Sequence, residues 1–236
     1  MASQLVSHEV TFPGKACQLK AFVAHQQGGG PRPAVIVIQE WWGLDDHIRD
    51  VARRFAQEGY FAVAPDLYSR QGHKVTKDPN VAGELMSKLD KADGIDDLLS
   101  TVAWIKTQKE ADAARIGVIG FCMGGSYALL LACVSPDIKA AAPFYGEVPP
   151  DEQLRNLHCP VFYAYGENDG WITREDVDRL AAALKKFNKH GEVKTYKGCS
   201  HGFFNDTRKD VYAPAEARDA WQKSLALFKQ NLAAGA

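Results

Sequence analysis

Six short apolar runs punctuate the 236-residue chain, five of them unbroken: Ala34 to Ile38, Phe61 to Pro65, Ile116 to Phe121, Ala140 to Tyr145 and Val161 to Tyr165, with the sixth, Val193 to Tyr196, interrupted by Lys194 and Thr195. A strand with one wet face alternates apolar and polar residues. A strand covered on both faces reads as a continuous apolar run, so these six suit the interior of a mostly parallel sheet. Between them the spacing turns helical. Ile48, Val51, Ala52 and Phe55 share one face, with Gly59 as a C-terminal stop, and Ile95, Leu98, Leu99, Val102 and Ile105 share another. Thr173-Arg174-Glu175-Asp176 reads as a capping box ahead of an inner face made by Val177, Leu180, Ala181, Leu184 and Phe187. Trp221, Leu225, Phe228 and Leu232 place a last helix against the sheet. Alternating strands and helices imply an α/β fold with helices on both faces of the sheet and functional groups on loops at the carboxyl ends of strands. Ahead of it, Val10 to Phe12 and Leu19 to Val23 flank Pro13-Gly14-Lys15, the pattern of an antiparallel hairpin. The stretch from Ser69 to Lys91, with mixed charge and Gly72, Pro79 and Gly83, reads as a surface excursion or a flap over a pocket.

No hinge, repeat or low-complexity linker divides the chain, so residues 1–236 are expected to form a single domain. Lys and Arg total 28 against 29 Asp and Glu, a net charge of -1, which leaves no broad basic field for nucleic acid or anionic lipid. No apolar run approaches the roughly 20 residues needed to span a bilayer, and MASQLVSHEV lacks the basic and apolar segments of a signal peptide. The expected setting is cytoplasmic, the expected partner a small molecule, and the expected state a monomer or weak homo-oligomer. Cys17, Cys122, Cys133, Cys159 and Cys199 are odd in number and scattered, without the close pairs of a zinc site or the density of a disulfide scaffold.

One cysteine stands apart. Arg115 to Phe121 reads as a strand and Tyr127 to Val134 as a helix, and the turn between them carries Gly120-Phe121-Cys122-Met123-Gly124-Gly125. This is the nucleophile-elbow spacing G-x-nucleophile-x-G, with cysteine where serine is commoner. The sharp turn strains the central residue and leaves no room for side chains two positions away, which the glycines provide. A helix beginning beside the thiol also favours its thiolate. Cys133 and Cys159 lack any such context and read as buried structural thiols.

A thiol nucleophile needs a base, and in this fold the chain order is nucleophile, acid, histidine. His201, in Cys199-Ser200-His201-Gly202-Phe203, directly follows the last strand candidate, whereas His8, His25, His47, His73, His158 and His190 fall on termini, helices or surface. Asp169, in Gly166-Glu167-Asn168-Asp169-Gly170, follows the Val161 to Tyr165 run, where a carboxylate can orient an imidazole; Glu167 and Glu147 are its rivals. The loop Gln39-Glu40-Trp41-Trp42-Gly43-Leu44, after the Ala34 to Ile38 run, is where this fold finds one backbone donor to the oxyanion. The residue after the nucleophile supplies the other, which makes Trp41 and Met123 the candidates. Trp42, Phe203 and Asn205 are expected on the substrate side of these motifs; the blander reading of the two tryptophans is hydrophobic covering.

The sequence resembles the dienelactone hydrolases, or carboxymethylenebutenolidases, of the α/β-hydrolase superfamily. The motifs are Gln39-Glu40-Trp41-Trp42-Gly43, Ala64-Pro65-Asp66-Leu67-Tyr68, Gly120-Phe121-Cys122-Met123-Gly124-Gly125, Gly166-Glu167-Asn168-Asp169 and Ser200-His201-Gly202-Phe203. The resemblance implies hydrolysis of an unsaturated lactone to maleylacetate in aromatic-ring degradation, through an acyl-enzyme, with neither metal nor organic cofactor. It also implies that Cys122 rests as a neutral thiol turned toward Glu40, and that substrate frees Glu40 to take the thiol proton. Dienelactone specialists hold the substrate carboxylate with arginines, one of them four positions beyond the histidine; here that position is Asn205. Arg70, Lys74, Lys77, Lys88 or Arg208 are the candidate substitutes; the alternatives are a broader esterase or thioesterase acting on uncharged acyl groups and a catalytically silent binding protein that keeps the fold and pocket, against which the set of Cys122, Asp169 and His201 argues.

Overall fold

The computed structural model describes residues 4–233, which fall into two compact units, one ending at Gly117 and the other beginning at Val118. In the first, β1 (Leu5–Pro13) and β2 (Gln18–Gln26) form the expected antiparallel hairpin, with Phe12 opposite Leu19. The chain continues through β3 (Arg32–Ile38), helix α1 (Asp46–Gln57) and β4 (Phe61–Pro65), a crossover that sets β3 and β4 parallel. The strand order is β1-β2-β4-β3, with β2 antiparallel to β4. Every residue of β4 is buried, as its unbroken apolar run requires. Asp45 caps α1 by accepting from the Ile48 N–H at 3.0 Å, and Ile48, Val51, Ala52 and Phe55 are its wholly buried face.

The excursion after β4 is more regular than its composition suggests. Ser69–Gln71 forms a short 3-10 turn, and Pro79–Lys88 forms helix α2, followed at once by α3 (Lys91–Ile105). The start signal for α2 is present in the sequence. Asp78 accepts from the Asn80 N–H at 2.9 Å, and Pro79 occupies the first helical position, where its missing N–H costs nothing. Only Ala82 and Leu85 of α2 are buried, so its apolar stripe is too thin to reveal a helix by periodicity.

Strand β5 (Ala111–Phe121) passes from the first unit into the second, where α4 (Met123–Val134), β6 (Ile138–Phe144), α5 (Asp151–Leu154), β7 (Val161–Asn168), α6 (Arg174–Lys186), β8 (Gly191–Ser200) and α7 (Pro214–Asn231) follow. The order is β5-β6-β7-β8, and β6, β7 and β8 are parallel neighbours. Helix α4 is apolar on all sides and correspondingly buried. The capping box expected at Thr173 is present: its hydroxyl accepts from the Asp176 N–H at 3.2 Å, while the Asp176 carboxylate accepts from the Thr173 N–H at 3.4 Å. Among the described residues no helix is long and apolar enough to cross a membrane.

Candidate active site

Cys122 is the N-cap of α4, with φ 56 and ψ -122, a conformation that L-residues rarely adopt. Its carbonyl accepts from the N–H groups of Gly125 and Ser126 at 2.8 and 3.2 Å, and its own N–H donates to Phe144 O at 3.1 Å. The thiol residue is therefore pinned between the first turn of α4 and the end of β6. A Cβ added at Gly120 would overlap the carbonyl group of Gly124 and lie 3.1 Å from Gly125 N. The strand enters the elbow against the backbone of the helix that leaves it.

Asp169 follows β7, and its side chain is completely removed from solvent. One carboxylate oxygen accepts from the N–H groups of Trp171 and Ile172 at 2.8 and 2.9 Å; the other lies 2.8 Å from Nδ1 of His201, which follows β8. With Nδ1–H donated to the carboxylate, Nε2 is the ring atom left to accept a proton. Tyr145 and Trp171 meet the imidazole edge-on, with ring centroids at 4.9 and 5.4 Å, so the ring is held in plane as well as at one end. Tyr145 has φ 39, a second strained non-glycine residue in this unit's cluster. Of the rival carboxylates, Glu167 is occupied elsewhere, accepting from the Gly198 N–H at 2.8 Å on the exposed side of the loop.

The remaining cysteines are chemically quiet. Burial pushes the Cys133 and Cys159 thiols up to about 12 and Cys199 up to about 11, and burial also raises Cys17. Phe203 and Asn205, expected on the substrate side, offer no such surface. Phe203 is fully buried against Tyr196, Tyr145 and Phe144, and Asn205 spends its side-chain oxygen on the N–H and hydroxyl of Thr207, at 3.0 and 2.7 Å. Met123 is the first residue of α4 and is buried.

In the first unit, Glu40 is buried in the loop that leaves β3, and Trp41 and Trp42 pack edge to face, centroids 5.0 Å apart. Arg70 makes a two-pronged pair with the buried Asp97 at 2.7 and 3.0 Å and reaches Asp93 at 3.5 Å, which withdraws it from ligand binding. Lys88 pairs loosely with Glu84, and Arg208, in the second unit, with Asp210. Lys74 and Lys77 are exposed. His73 lies at the surface as expected and also holds the buried Asp66 through Nδ1 at 2.8 Å; Tyr145, Trp171 and this His73–Asp66 pair are the features that sequence reasoning missed. The only sequence trace of the aromatic pair is position, since each aromatic stands within two residues of a strand-end functional loop.

The dienelactone hydrolase family model matches residues 19–232. Protein usf of Aquifex pyrophilus is 36% identical, over 94% of this chain and 98% of its own. A protein of Escherichia coli strain K12 named "Putative carboxymethylenebutenolidase" is 34% identical, over 96% of this chain and 88% of its own. A crystal structure titled as a "Putative Dienelactone Hydrolase" from Klebsiella pneumoniae is 34% identical and superposes with a TM-score of 0.90, covering 96% of this chain and 99% of that one. The fold class is the expected one, an α/β-hydrolase fold built on a mostly parallel sheet.

Proposed function

This chain belongs to the dienelactone hydrolase family and is a carboxylic ester hydrolase, and on that footing we propose that Cys122, His201 and Asp169 cleave a lactone or ester through an acyl-enzyme. The reading rests above all on one observation: the strained cysteine at the head of α4 lies in the same unit as a histidine whose Nδ1 is tied to a buried carboxylate. The Cys122 thiolate attacks the carbonyl carbon, forming a carbon–sulfur bond and moving the carbonyl electrons onto oxygen. The backbone N–H groups of Trp41 and Met123 receive that oxyanion. Collapse breaks the carbon–oxygen bond, and the leaving oxygen takes, by way of His201, the proton that the thiol gave up to Glu40. His201 then removes a proton from water, which attacks the thioester and returns the thiol. Glu40 takes the thiol proton when substrate arrives, so that the resting thiol is neutral.

The substrate proposed first is dienelactone, yielding maleylacetate in aromatic degradation. A second reading, an esterase for uncharged acyl groups, is favoured by Asn205 being buried and committed to Thr207 and by Arg70 being locked onto Asp97. The test is mass spectrometry of the protein mixed with dienelactone, a plain lactone and an aryl acetate. An acyl adduct on Cys122 is expected with at least one; no adduct with any of them overturns the function. A rate on dienelactone that falls as salt rises supports charge recognition, because exposed charges are screened over about 10 Å at 0.1 M.

Removing the imidazole with His201→Ala is expected to lower turnover by about a thousandfold or more, since nucleophile and base act as a unit. Asp169→Asn is expected to lose less, about ten- to a hundredfold, because a cysteine–histidine pair depends less on its orienting acid. Steady-state rates of the two variants check the order. A larger loss in Glu167→Gln than in Asp169→Asn would transfer the acid role.

A further inference from the structure

In the second unit, the turn that follows β6 is bonded to the nucleophile's helix on one side and to β7 on the other. It runs from Phe144 through Tyr145 and Gly146 to Glu147. Toward α4, Phe144 O accepts from the Cys122 N–H at 3.1 Å, and the Glu147 N–H donates to the Ser126 hydroxyl oxygen at 2.7 Å. Toward β7, the Tyr145 N–H donates to Ala164 O at 2.8 Å, and the buried Tyr163 hydroxyl donates to Gly146 O.

Turn and helix also meet backbone to backbone. A Cβ added at Gly125 would overlap Phe144 O, and one added at Gly146 would overlap Ser126 N and Gly125 C. So close an approach needs glycine on both sides. It also brings the side chain of the next helical residue, Ser126, within reach of the last N–H of the turn. The Ser126 N–H donates to Cys122 O at 3.2 Å, so this one residue holds the nucleophile's peptide by its backbone and the turn by its hydroxyl.

Between these anchors sits the residue that meets the histidine. Tyr145 has φ 39, is fully buried, and sets its ring 4.9 Å from the imidazole of His201. A non-glycine residue in the left-handed region persists only where its surroundings hold it there, and bonds at Phe144 O and the Glu147 N–H hold this one from both sides. His201 is tied to Asp169 through Nδ1, and the rings of Tyr145 and Trp171 settle how the imidazole turns about that bond.

We propose that Ser126 is a positioning residue for His201: through its hydroxyl bond to the Glu147 N–H it keeps Tyr145 in its strained form, and Tyr145 keeps the imidazole turned for hydrolysis of the thioester. The proposal rests on the function above, and Ser126 touches neither substrate nor thiol in the reaction as written. Glu147 is exposed, so its N–H can turn to water once the hydroxyl is gone. The strain at Tyr145 is then free to relax, and the ring against His201 moves with it.

Ser126→Ala removes the hydroxyl, and alanine suits a helix at least as well as serine, so α4 should stand and a melting curve confirms it. Two reactions of Cys122 separate the possibilities. Loss of the acyl group, followed by mass spectrometry after a pulse of aryl acetate or lactone, uses His201 as the base for water; alkylation by iodoacetamide does not use it. Deacylation in Ser126→Ala is expected to slow about tenfold or more, since misplacement of a catalytic group can cost up to about a hundredfold. The iodoacetamide rate should stay within about twofold of the parent, because the thiol keeps its place. A residue that acts through the imidazole has nothing left to do once the imidazole is gone, so Ser126→Ala in the His201→Ala background should change deacylation by less than about twofold. Unchanged deacylation in the single variant overturns the proposal. So does an equal slowing of alkylation, or a loss that adds in full to that of His201→Ala, either of which would place the effect on the thiol or the fold. A parent protein that forms no acyl-Cys122 at all would overturn the proposed function itself, and this proposal with it.

Discussion

Alanine in place of Cys122 is expected to reduce ester or lactone hydrolysis by about 10⁴-fold or more, to background, while the protein still folds. The sulfur is the atom that bonds to the acyl carbon, and no neighbouring group can replace it: Cys133, Cys159 and Cys199 are buried thiols held at about 12, 12 and 11. At pH 8 a thiol with its pKa near 12 is ionised in only about one molecule in ten thousand. Removing the nucleophile of a concerted set costs as much as removing the set. The fold should lose only about 1 kcal/mol, since a single buried sulfur leaves a small void and the backbone at φ 56 is equally strained for cysteine and alanine. Steady-state kinetics with thermal melting checks both halves. Activity within tenfold of the parent would remove Cys122 from the mechanism.

Gly120→Ala is expected to damage both fold and activity, the largest stability effect among single methyl additions in the second unit's elbow. The new Cβ would lie inside the carbonyl group of Gly124 and 3.1 Å from Gly125 N, and these are backbone atoms of the first turn of α4 that cannot rotate away. The strand and helix must part, and the Cys122 carbonyl then loses its bonds from Gly125 and Ser126. A loss of about 3 kcal/mol or more is expected, at or above the upper end of the usual cost of about 1 to 3 kcal/mol for overpacking a core, because the clash is with backbone. Whatever protein remains folded should acylate Cys122 slowly, because the turn that presents the thiol has opened. Chemical denaturation and acylation kinetics on the soluble fraction test the two effects. A variant with parental stability would mean that the elbow relaxes cheaply, against the close approach of Gly120 to Gly124.

Local patterns in the chain were enough to place most of the framework and the chemistry. The buried strands are legible because a strand covered on both faces has no polar positions to hide, and β4 coincides with its apolar run from Phe61 to Pro65. The Thr173 cap is legible because a capping box satisfies backbone donors through side chains three residues apart. Cys122 is legible for a similar reason: the elbow's crowding is a short-range clash, so glycine spacing records it in the sequence. Asp169 and His201 are legible as loop residues after strands, though nothing local says that they meet. Their 2.8 Å contact joins positions 32 residues apart and depends on β7 and β8 lying side by side in register.

Helix α2 shows the opposite case, since only two of its side chains are buried and its start rests on Asp78 and Pro79. The same limit hides the edge-on rings of Tyr145 and Trp171 about His201, the pairing of Arg70 with Asp97, and the bond from Glu147 to Ser126. Each joins segments whose periodicity says nothing about one another. Hydrophobic period, caps and glycine spacing are imposed within about a dozen residues, so the chain itself carries them. The partner of a polar side chain is chosen by which strand ends the sheet brings together, and that choice exists only once the strands have paired.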